Sequence, residues 1–454
     1  MRIKKIELRN FRGFEEKTFL FADQFNELIG NNGTGKTALL EALAVVLGSY
    51  VRGMDQLYLR RYLDEHGERG GSPVYGIRQK DIRRRSFALG GATQIEPQFP
   101  ASVTCTAKAC GETISWERSL DVEEQEDARQ KLEGGEALNS VLKPGGLTKV
   151  LDVLRGGVQN GSDVVLPLVA YYGTGRLWQS SRAFPPRSPG SRVLGYDWCL
   201  EPNADPRGFL QWFKAMELAV IQRQEAPEVL QAVKGALEEC VQGWSGFYYD
   251  MEQDALLATG EGGDKLPFHM LSDGVRNMLA MVADLARRAA VLNPHLGAEA
   301  ARATPGVVLV DELDLHLHPR WQRTVVGDLR RTFPELQFVC TTHSPFVVQQ
   351  LRPGELLDLN ELKGEEYQDK SIEDITEKVM GVPLPQLSER RKEMLAAAEE
   401  YFGLVKQGRA ADAKEKNRLK ERLDELIAPF SDDPAYQAFL KLERTAAGLG
   451  DQDR

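Results

Sequence analysis

The apolar positions change their period along the chain, and the changes mark out elements. Ile3, Ile6 and Leu8 sit in a charged background and predict an opening strand. Asn10-Phe11-Arg12-Gly13-Phe14 then turns it into a second strand through Phe19, Leu20 and Phe21. Phe25–Ile29 reads as a short strand, and 38–43 opens a helix of strong helix formers that the pattern ends near Gly48. Runs at 102–107 and 113–118 flank Cys110-Gly111 as a hairpin. The pattern further predicts a short charged helix over 121–133, a strand over 164–172, a Ser/Pro/Gly-rich loop over 180–207 and helices over 209–222 and 228–241. Val275, Met278, Leu279, Val282 and Ala286 share one face of a long helix that Ser272 is placed to cap. Strand 307–310, helix 319–331 and strand 337–341 follow. Beyond about residue 355 the chain reads as mainly helical, with apolar faces at Tyr401, Phe402 and Val405, at Leu419, Leu423 and Leu426, and at Tyr436, Phe439 and Leu440.

Within this α/β pattern, Gly30-Asn31-Asn32-Gly33-Thr34-Gly35-Lys36-Thr37 fits the phosphate-binding loop G-x-x-x-x-G-K-[ST], and Ala38 begins the helix behind it. A strand, a glycine loop and a helix N-terminus make an anion cradle of backbone N–H groups. Lys36 is expected on the β- and γ-phosphates and the Thr37 hydroxyl on Mg²⁺, so the chain is expected to bind ATP. Val307–Val310 is an apolar strand that ends in Asp311-Glu312. Two carboxylates there are costly to desolvate without a function, and downstream of a phosphate loop they predict a metal-holding Asp311 and a water-polarising Glu312. Leu271-Ser272-Asp273-Gly274 opens a helix and offers a second anion site, against the plainer reading of an ordinary N-cap. His343 stands just past the following strand, where it is a candidate γ-phosphate sensor. His316 and His318 alternate with leucines, but Pro319 starts a helix behind them and the bland reading is better.

Composition narrows the partners. In 454 residues, 42% hydrophobic and 27% charged content is that of an ordinary globular protein. A net charge of -10 excludes a surface that is basic everywhere, so any nucleic-acid contact must be a local patch such as Arg78, Lys80, Arg83, Arg84 and Arg85. Five cysteines without a C-x-x-C pair read as reduced thiols. No signal core follows Met1, and no apolar run is expected to reach membrane-spanning length, since charges interrupt the helix around Asp284; a cytoplasmic location is expected.

The phosphate loop, Leu-Ser-Asp-Gly, the Asp-Glu strand and the histidine, in this order, resemble the ABC-type ATPase head. The opening IKKIELRNFRGF and DELDLHLHP narrow the resemblance to the branch containing RecF, SMC-like repair proteins and OLD-like ATPases. That resemblance implies a head with a mixed sheet, an antiparallel β-lobe and a helical lobe. It also implies a head-to-tail homodimer in which Ser272, Asp273 and Gly274 of one subunit close over the ATP of the other. Arg12 matches the arginine that approaches the phosphates in that family, whereas neither Gln79 nor Gln94 is singled out as its glutamine-loop residue. About 235 residues between Lys36 and Ser272 are too many for a transporter motor and too free of heptads for a long SMC coiled coil. No acids of a TOPRIM nuclease cluster after His343. LPLVAYYGTGRLW, MVADLARRAAVLNP, SIEDITEKVMGV and DDPAYQAFLKLER resemble, over most of the chain, the ATPases of Septu-type antiphage systems, where PtuA works with a separate HNH nuclease, PtuB. The expected organisation is a head over 1–355, split by an insertion at about 51–265, and a helical region over 356–454 for partner or assembly contacts. The alternative is a RecF-like factor that binds DNA without a nuclease partner.

Overall fold

The computed structural model describes residues 1–66, 76–89, 92–121, 140–175, 191–202, 206–360, 370–408, 421 and 442. It divides into two units, Met1–Ile375 and Thr376–Arg454. The first is built around a parallel five-stranded sheet in the order Leu356–Asp358, Phe25–Ile29, Leu336–Thr341, Gly306–Val310, Leu168–Tyr172. The last four of these strands are buried at every residue, which is why Gly306–Val310 and Leu168–Tyr172 read as continuous apolar runs rather than alternating ones, while Asn26, Glu27, Gln337 and Thr341 are polar residues buried within the other two. Parallel pairing sends all their C-terminal ends to one edge, the usual place for ligands in such sheets.

A second sheet is antiparallel, in the order Phe14–Leu20, Arg2–Phe11, Ala101–Ala109, Glu112–Leu120, Val141–Lys143. The expected fold class therefore stands, with the antiparallel lobe present as a sheet of its own, but the sheet bearing the phosphate loop is wholly parallel where a mixed one was expected. Cys110 and Gly111 carry the expected hairpin with φ of 49° and 81°, the pair of positive values that a two-residue turn between twisted strands requires.

The helix Lys36–His66 packs against both sheets. It does not end near Gly48. Leu43, Val46, Leu47, Tyr50 and Met54 are fully buried around that glycine, and Trp116 Nε1 donates to the Val46 carbonyl at 3.0 Å. Their burial outweighs the roughly 1 kcal/mol helix penalty of one glycine. The stretch Lys36–Met54 is also long and apolar enough to cross a membrane, contrary to the expectation that no such run exists, yet 78% of that window is buried inside the protein.

Between the phosphate-loop helix and the acidic strand lie the helices Pro206–Arg223, Glu228–Cys240 and Asp273–Leu292. With them comes a three-stranded sheet, Trp244–Asp250, Ala255–Gly260, Lys265–Pro267, that the periodicity did not predict. Its strands are short and its register shifts between Ser245 and Tyr248, so no clean alternation survives in the sequence. A two-stranded ribbon, Arg84–Leu89 with Ala92–Pro97, was likewise not predicted. The helix expected over 319–331 is broken into Pro319–Gln322 and Val325–Thr332, because Thr324 leaves the helical region at φ -124°. The strand expected from 164 starts at Leu168, since the Leu166 N–H is taken by the Asn293 side chain. The second unit contains the helix Glu389–Gly408, with Met394 and Ala398 buried. The helix expected over 121–133 and the apolar faces beyond residue 408 lie outside the described residues, apart from positions 121, 421 and 442.

One buried charge cluster joins the long helix to the parallel sheet. Asp284 accepts from Arg288 Nε at 2.7 Å, from Arg287 at 2.8 Å and from the Tyr172 hydroxyl at 2.8 Å. Arg288 also donates to the Gly195 and Asp197 carbonyls. Burial opposes ionisation of Asp284, but the two guanidiniums outweigh it and hold the carboxyl below its usual range. Removing the acid leaves the buried Arg288 and the half-buried Arg287 uncompensated, so Asp284→Ala is expected to destabilise the protein by about 3–5 kcal/mol, read from its urea unfolding midpoint. A midpoint unchanged from wild type would show that the cluster is not a support of the fold.

Candidate nucleotide site

Ile29 delivers the chain to the phosphate loop at the C-terminal edge of the parallel sheet. Gly35 there has φ 101°, and a Cβ on it would fall 2.6 Å from the Phe14 ring, so both the turn and the close approach exclude a side chain. The Lys36 ammonium folds back and donates to the Gly30 carbonyl at 2.6 Å and the Asn31 carbonyl at 3.2 Å. Partial burial lowers its pKa, while Asp311 and Glu312 pull the other way. Thr34 Oγ1 donates to the Asn31 carbonyl at 2.9 Å, and the Asn31 N–H meets Asn360 Oδ1 at 3.2 Å. Asn32, Gly33 and Thr34 complete the loop, with φ of 87° at Gly33, and Thr37 and Ala38 follow on the helix.

The register of the sheet brings three strand ends to this loop. Thr37 Oγ1 donates to Asp311 Oδ2 at 3.1 Å, and Thr341 Oγ1 donates to Asp311 Oδ1 at 2.7 Å. The same Thr341 oxygen accepts the Glu312 N–H at 2.7 Å, with Glu312 at φ 52°. Asp311 is nearly buried, at 7% exposure. A hydroxyl and a carboxylate of this spacing are hard oxygen donors that fit a Mg²⁺ ion keeping several of its waters.

His343 is exposed at the next strand end, and its backbone N–H reaches Asp314 Oδ1 at 3.3 Å. Thr342 Oγ1 donates to the same oxygen at 2.6 Å, so Asp314 orders the segment that carries the histidine. Ser272 occupies the N-cap position of Asp273–Leu292, but its exposed hydroxyl makes no capping bond as expected of it. Asp273 is ion-paired with Arg276. A Cβ on Gly274 would meet the His316 carbonyl oxygen at 2.4 Å, and Asn277 Nδ2 donates to the Leu315 carbonyl at 3.0 Å. The close approach at Gly274 and the Asn277 bond seat the start of this helix against the segment just after the two acids.

Arg12, at φ 49°, is held by carboxylates: its guanidinium donates to Asp81 Oδ1 at 3.0 and 2.9 Å and pairs with Glu41 of the phosphate-loop helix. Gln79 lies in the turn with Asp81, and Gln94 lies on the exposed ribbon opposite Phe87. His316 is exposed, and His318 caps the helix Pro319–Gln322 by accepting the Arg320 N–H at 3.3 Å. Sequence reasoning missed Thr341, Asp314, Asp81 and Glu27. Asp314 had a signal, as the third acid of Asp311-Glu312-Leu313-Asp314; a threonine ending a strand and an acid inside an apolar strand carry none. Glu27 is fully buried with neither carboxyl oxygen hydrogen-bonded. Burial, and then the nearby Asp314 charge, push its pKa well above the usual carboxylate range.

Comparison with known proteins decides the family. A family model described as an AAA domain matches residues 5–240, more than half of the chain. The chain belongs to this AAA-domain family. A second AAA-domain model, whose description mentions an AbiEii toxin of type IV toxin–antitoxin systems, matches residues 196–349. The chain is 23% identical to the Retron Vc95 probable ATPase of Vibrio cholerae serotype O1 biovar El Tor, over 93% of this chain and 86% of that protein. It is 24% identical to the Retron Ec83 probable ATPase of Escherichia coli, over 76% of this chain and 69% of that protein. To the Septu protein PtuA of Bacillus thuringiensis it is 30% identical, over 28% of this chain and 35% of PtuA. The likeness to PtuA is confined to part of the chain, while likeness along nearly the whole chain is to the retron probable ATPase. Membership of the AAA-domain family implies nucleotide binding.

Two predictions follow from groups that only the structure reveals. Thr341→Val keeps the side-chain shape but removes the hydroxyl shared by Asp311 and Glu312. Steady-state phosphate release is expected to fall ~10–100-fold with the fold intact by circular dichroism, the scale seen when a group that orients a metal ligand is lost. Wild-type turnover would remove Thr341 from the site. Glu27 binds its proton more tightly folded than unfolded, so its contribution weakens stability as pH rises from the ordinary carboxylate range toward its raised folded pKa. Glu27→Gln cannot ionise, and its melting temperature relative to wild type is expected to rise steadily between pH 5 and pH 8. A constant difference across that range would contradict a protonated Glu27.

Proposed function

We propose that this AAA-domain ATPase hydrolyses ATP at a composite site between two copies of itself and thereby regulates a separately encoded HNH-type nuclease in antiphage defence. The observation that carries the catalytic part is the chain of bonds from Thr37 through Asp311 and Thr341 to the Glu312 backbone, set beside the phosphate loop. The loop N–H groups from Gly30 to Ala38 receive the phosphates, and Lys36 exchanges its two carbonyl partners for the β- and γ-phosphate oxygens. Thr37 and Asp311 would hold Mg²⁺, which when bound neutralises charge on the phosphate oxygens. Glu312 accepts the proton of the attacking water, and His343, on the segment ordered by Asp314, faces the γ-phosphate as its sensor. Ser272, Asp273 and Gly274 close over the nucleotide of the partner copy. The exposure of Ser272 supports that role, and the close approach of Gly274 to the His316 carbonyl, with the Asn277 bond to Leu315 one turn on, gives this helix start a connection to Asp311-Glu312 of its own subunit. Arg12 would leave Asp81 and Glu41 to reach the phosphates.

The regulatory part rests on resemblance. Relatives named as retron ATPases and Septu PtuA support the defence setting, and Septu-type pairing of an ATPase with an HNH protein supports the partner. In this reading 1–355 is the ATPase head, 356–454 serves partner or assembly contacts, and the protein works in the cytoplasm.

The test is Glu312→Gln. The amide keeps the shape but cannot take the proton, so ATP should bind normally while turnover falls at least ~100-fold. A dimer with ATP retained should then accumulate in size-exclusion chromatography, and a co-expressed HNH protein encoded beside the ATPase should co-purify. Wild-type turnover would move the base elsewhere. Failure of the HNH protein to co-purify, and of the dimer to form, would reject the regulatory reading while leaving the ATPase intact.

A further inference from the structure

The edge strand of the parallel sheet, Leu356–Asp358, runs beside the strand that delivers the phosphate loop. Their register pairs Leu356 with Glu27, Leu357 with Leu28 and Asp358 with Ile29. The ladder does not stop where the strands do. The Leu359 N–H donates to the Ile29 carbonyl at 3.0 Å, and a side chain makes the next rung: Asn360 Oδ1 accepts the Asn31 N–H at 3.2 Å. The two backbones stay close across this step, since a Cβ on Gly30 would fall 3.3 Å from Leu359 Cβ. A half-buried residue 329 positions further along the chain thus reaches the second residue of the loop.

The rung falls on the residue around which the loop is wound. The Asn31 carbonyl accepts from the Thr34 N–H at 3.3 Å, from Thr34 Oγ1 at 2.9 Å and from Lys36 Nζ at 3.2 Å. With its N–H on Asn360, both backbone groups of Asn31 are committed, and one of the carbonyls that hold Lys36 is fixed from outside the loop. The asparagine is itself held. Its N–H donates to Asp358 Oδ1 at 2.8 Å, closing a turn that directs the side chain. Asp358 Oδ2 is left buried with no hydrogen-bond partner, and burial raises the pKa of that carboxyl. An orphaned carboxyl oxygen costs the fold stability, and here it accompanies the turn that presents Asn360 to the loop.

We propose that Asn360 is a positioning residue of the ATP site, holding the entrance of the phosphate loop in the shape that receives the phosphates. The proposal rests on the reading of residues 30–38 as an ATP cradle. A loop fixed before its ligand arrives loses less freedom on binding, so the rung acts on affinity. It acts at the loop entrance and not on the acids that meet the attacking water, so turnover at saturating ATP is preserved.

The test uses the full chain, the fluorescent analogue MANT-ATP for binding, and steady-state phosphate release for KM and kcat. Asn360→Ala removes the rung and is expected to weaken MANT-ATP binding ~3–10-fold, the scale of one neutral hydrogen bond. KM for ATP should rise in proportion, with kcat and the melting temperature without nucleotide unchanged. Asn360→Asp keeps an oxygen for the Asn31 N–H but sets a negative charge beside the phosphates. It should bind MANT-ATP more weakly than the alanine variant, by a margin that narrows as salt is raised. Affinity equal to wild type in either variant would overturn the proposal. So would a fall in kcat at unchanged KM, or a drop in melting temperature that accounts for the weaker binding and makes Asn360 a structural residue only. Wild type that fails to bind MANT-ATP would instead remove the ATP reading beneath the proposal, whereas equal binding by wild type and both variants removes the proposal alone.

Discussion

A single hydroxyl, that of Thr341, holds together what the rest of the site requires. It donates to Asp311 and accepts from the Glu312 backbone, so the two acids are set by the neighbouring strand and not by their own. Thr37 meets the other Asp311 oxygen, which ties the phosphate-loop helix to the same point. These three bonds need strands ending in register, and parallel pairing of Val310 with Cys340 and of Thr341 with Leu28 supplies it. A shift of one residue would turn Thr341 to the opposite face of the sheet and break the set.

Two buried carboxylates in the same unit show how neighbours decide the state of a charge. Asp284 lies among two guanidiniums and a tyrosine hydroxyl and stays ionised despite complete burial. Glu27 is buried with no such partner and lies near Asp314, and both raise its pKa well above the usual carboxylate range. The first is a strut between the helix that begins at Ser272 and the strand that ends at Tyr172, whose carbonyl receives the Asp311 N–H at 2.8 Å. The second places an unfavourable group under the segment that presents His343.

The cluster of Arg12, Asp81, Glu41 and Arg78 places charge at the other side of the loop. It joins the opening turn, a short 3-10 turn and the phosphate-loop helix, three segments distant in sequence. The acids at this junction hold the Arg12 guanidinium beside the phosphate-loop helix. Likeness to retron ATPases along nearly the whole chain sets this arrangement in a group whose members are named only as probable ATPases. The chemistry of the individual site thus carries more of the functional argument than the names do.

Much of the site was legible in the chain because its chemistry is local. Gly30 to Thr37 must be contiguous to wrap a phosphate, Asp311-Glu312 must end an apolar strand, and a helix must begin at Ser272; each leaves a pattern within a few residues. The parallel strands were legible for the same reason, each being a short, mostly apolar run. What depended on distant neighbours was not. Gly48 looked like a helix end because its propensity is local, while the burial that overrides it comes in part from a strand 70 residues away, through Trp116. The capping bond of Ser272 is not made, and Arg12 is turned toward Asp81, although both residues sit where the pattern put them. Thr341, Glu27 and Asp81 gain their importance only from what stands opposite them across a sheet or a turn. Sequence alone determines which residues can do the chemistry; the tertiary structure decides which partner each one faces, because hydrogen bonds and ion pairs act over a few ångströms of space and not along the chain.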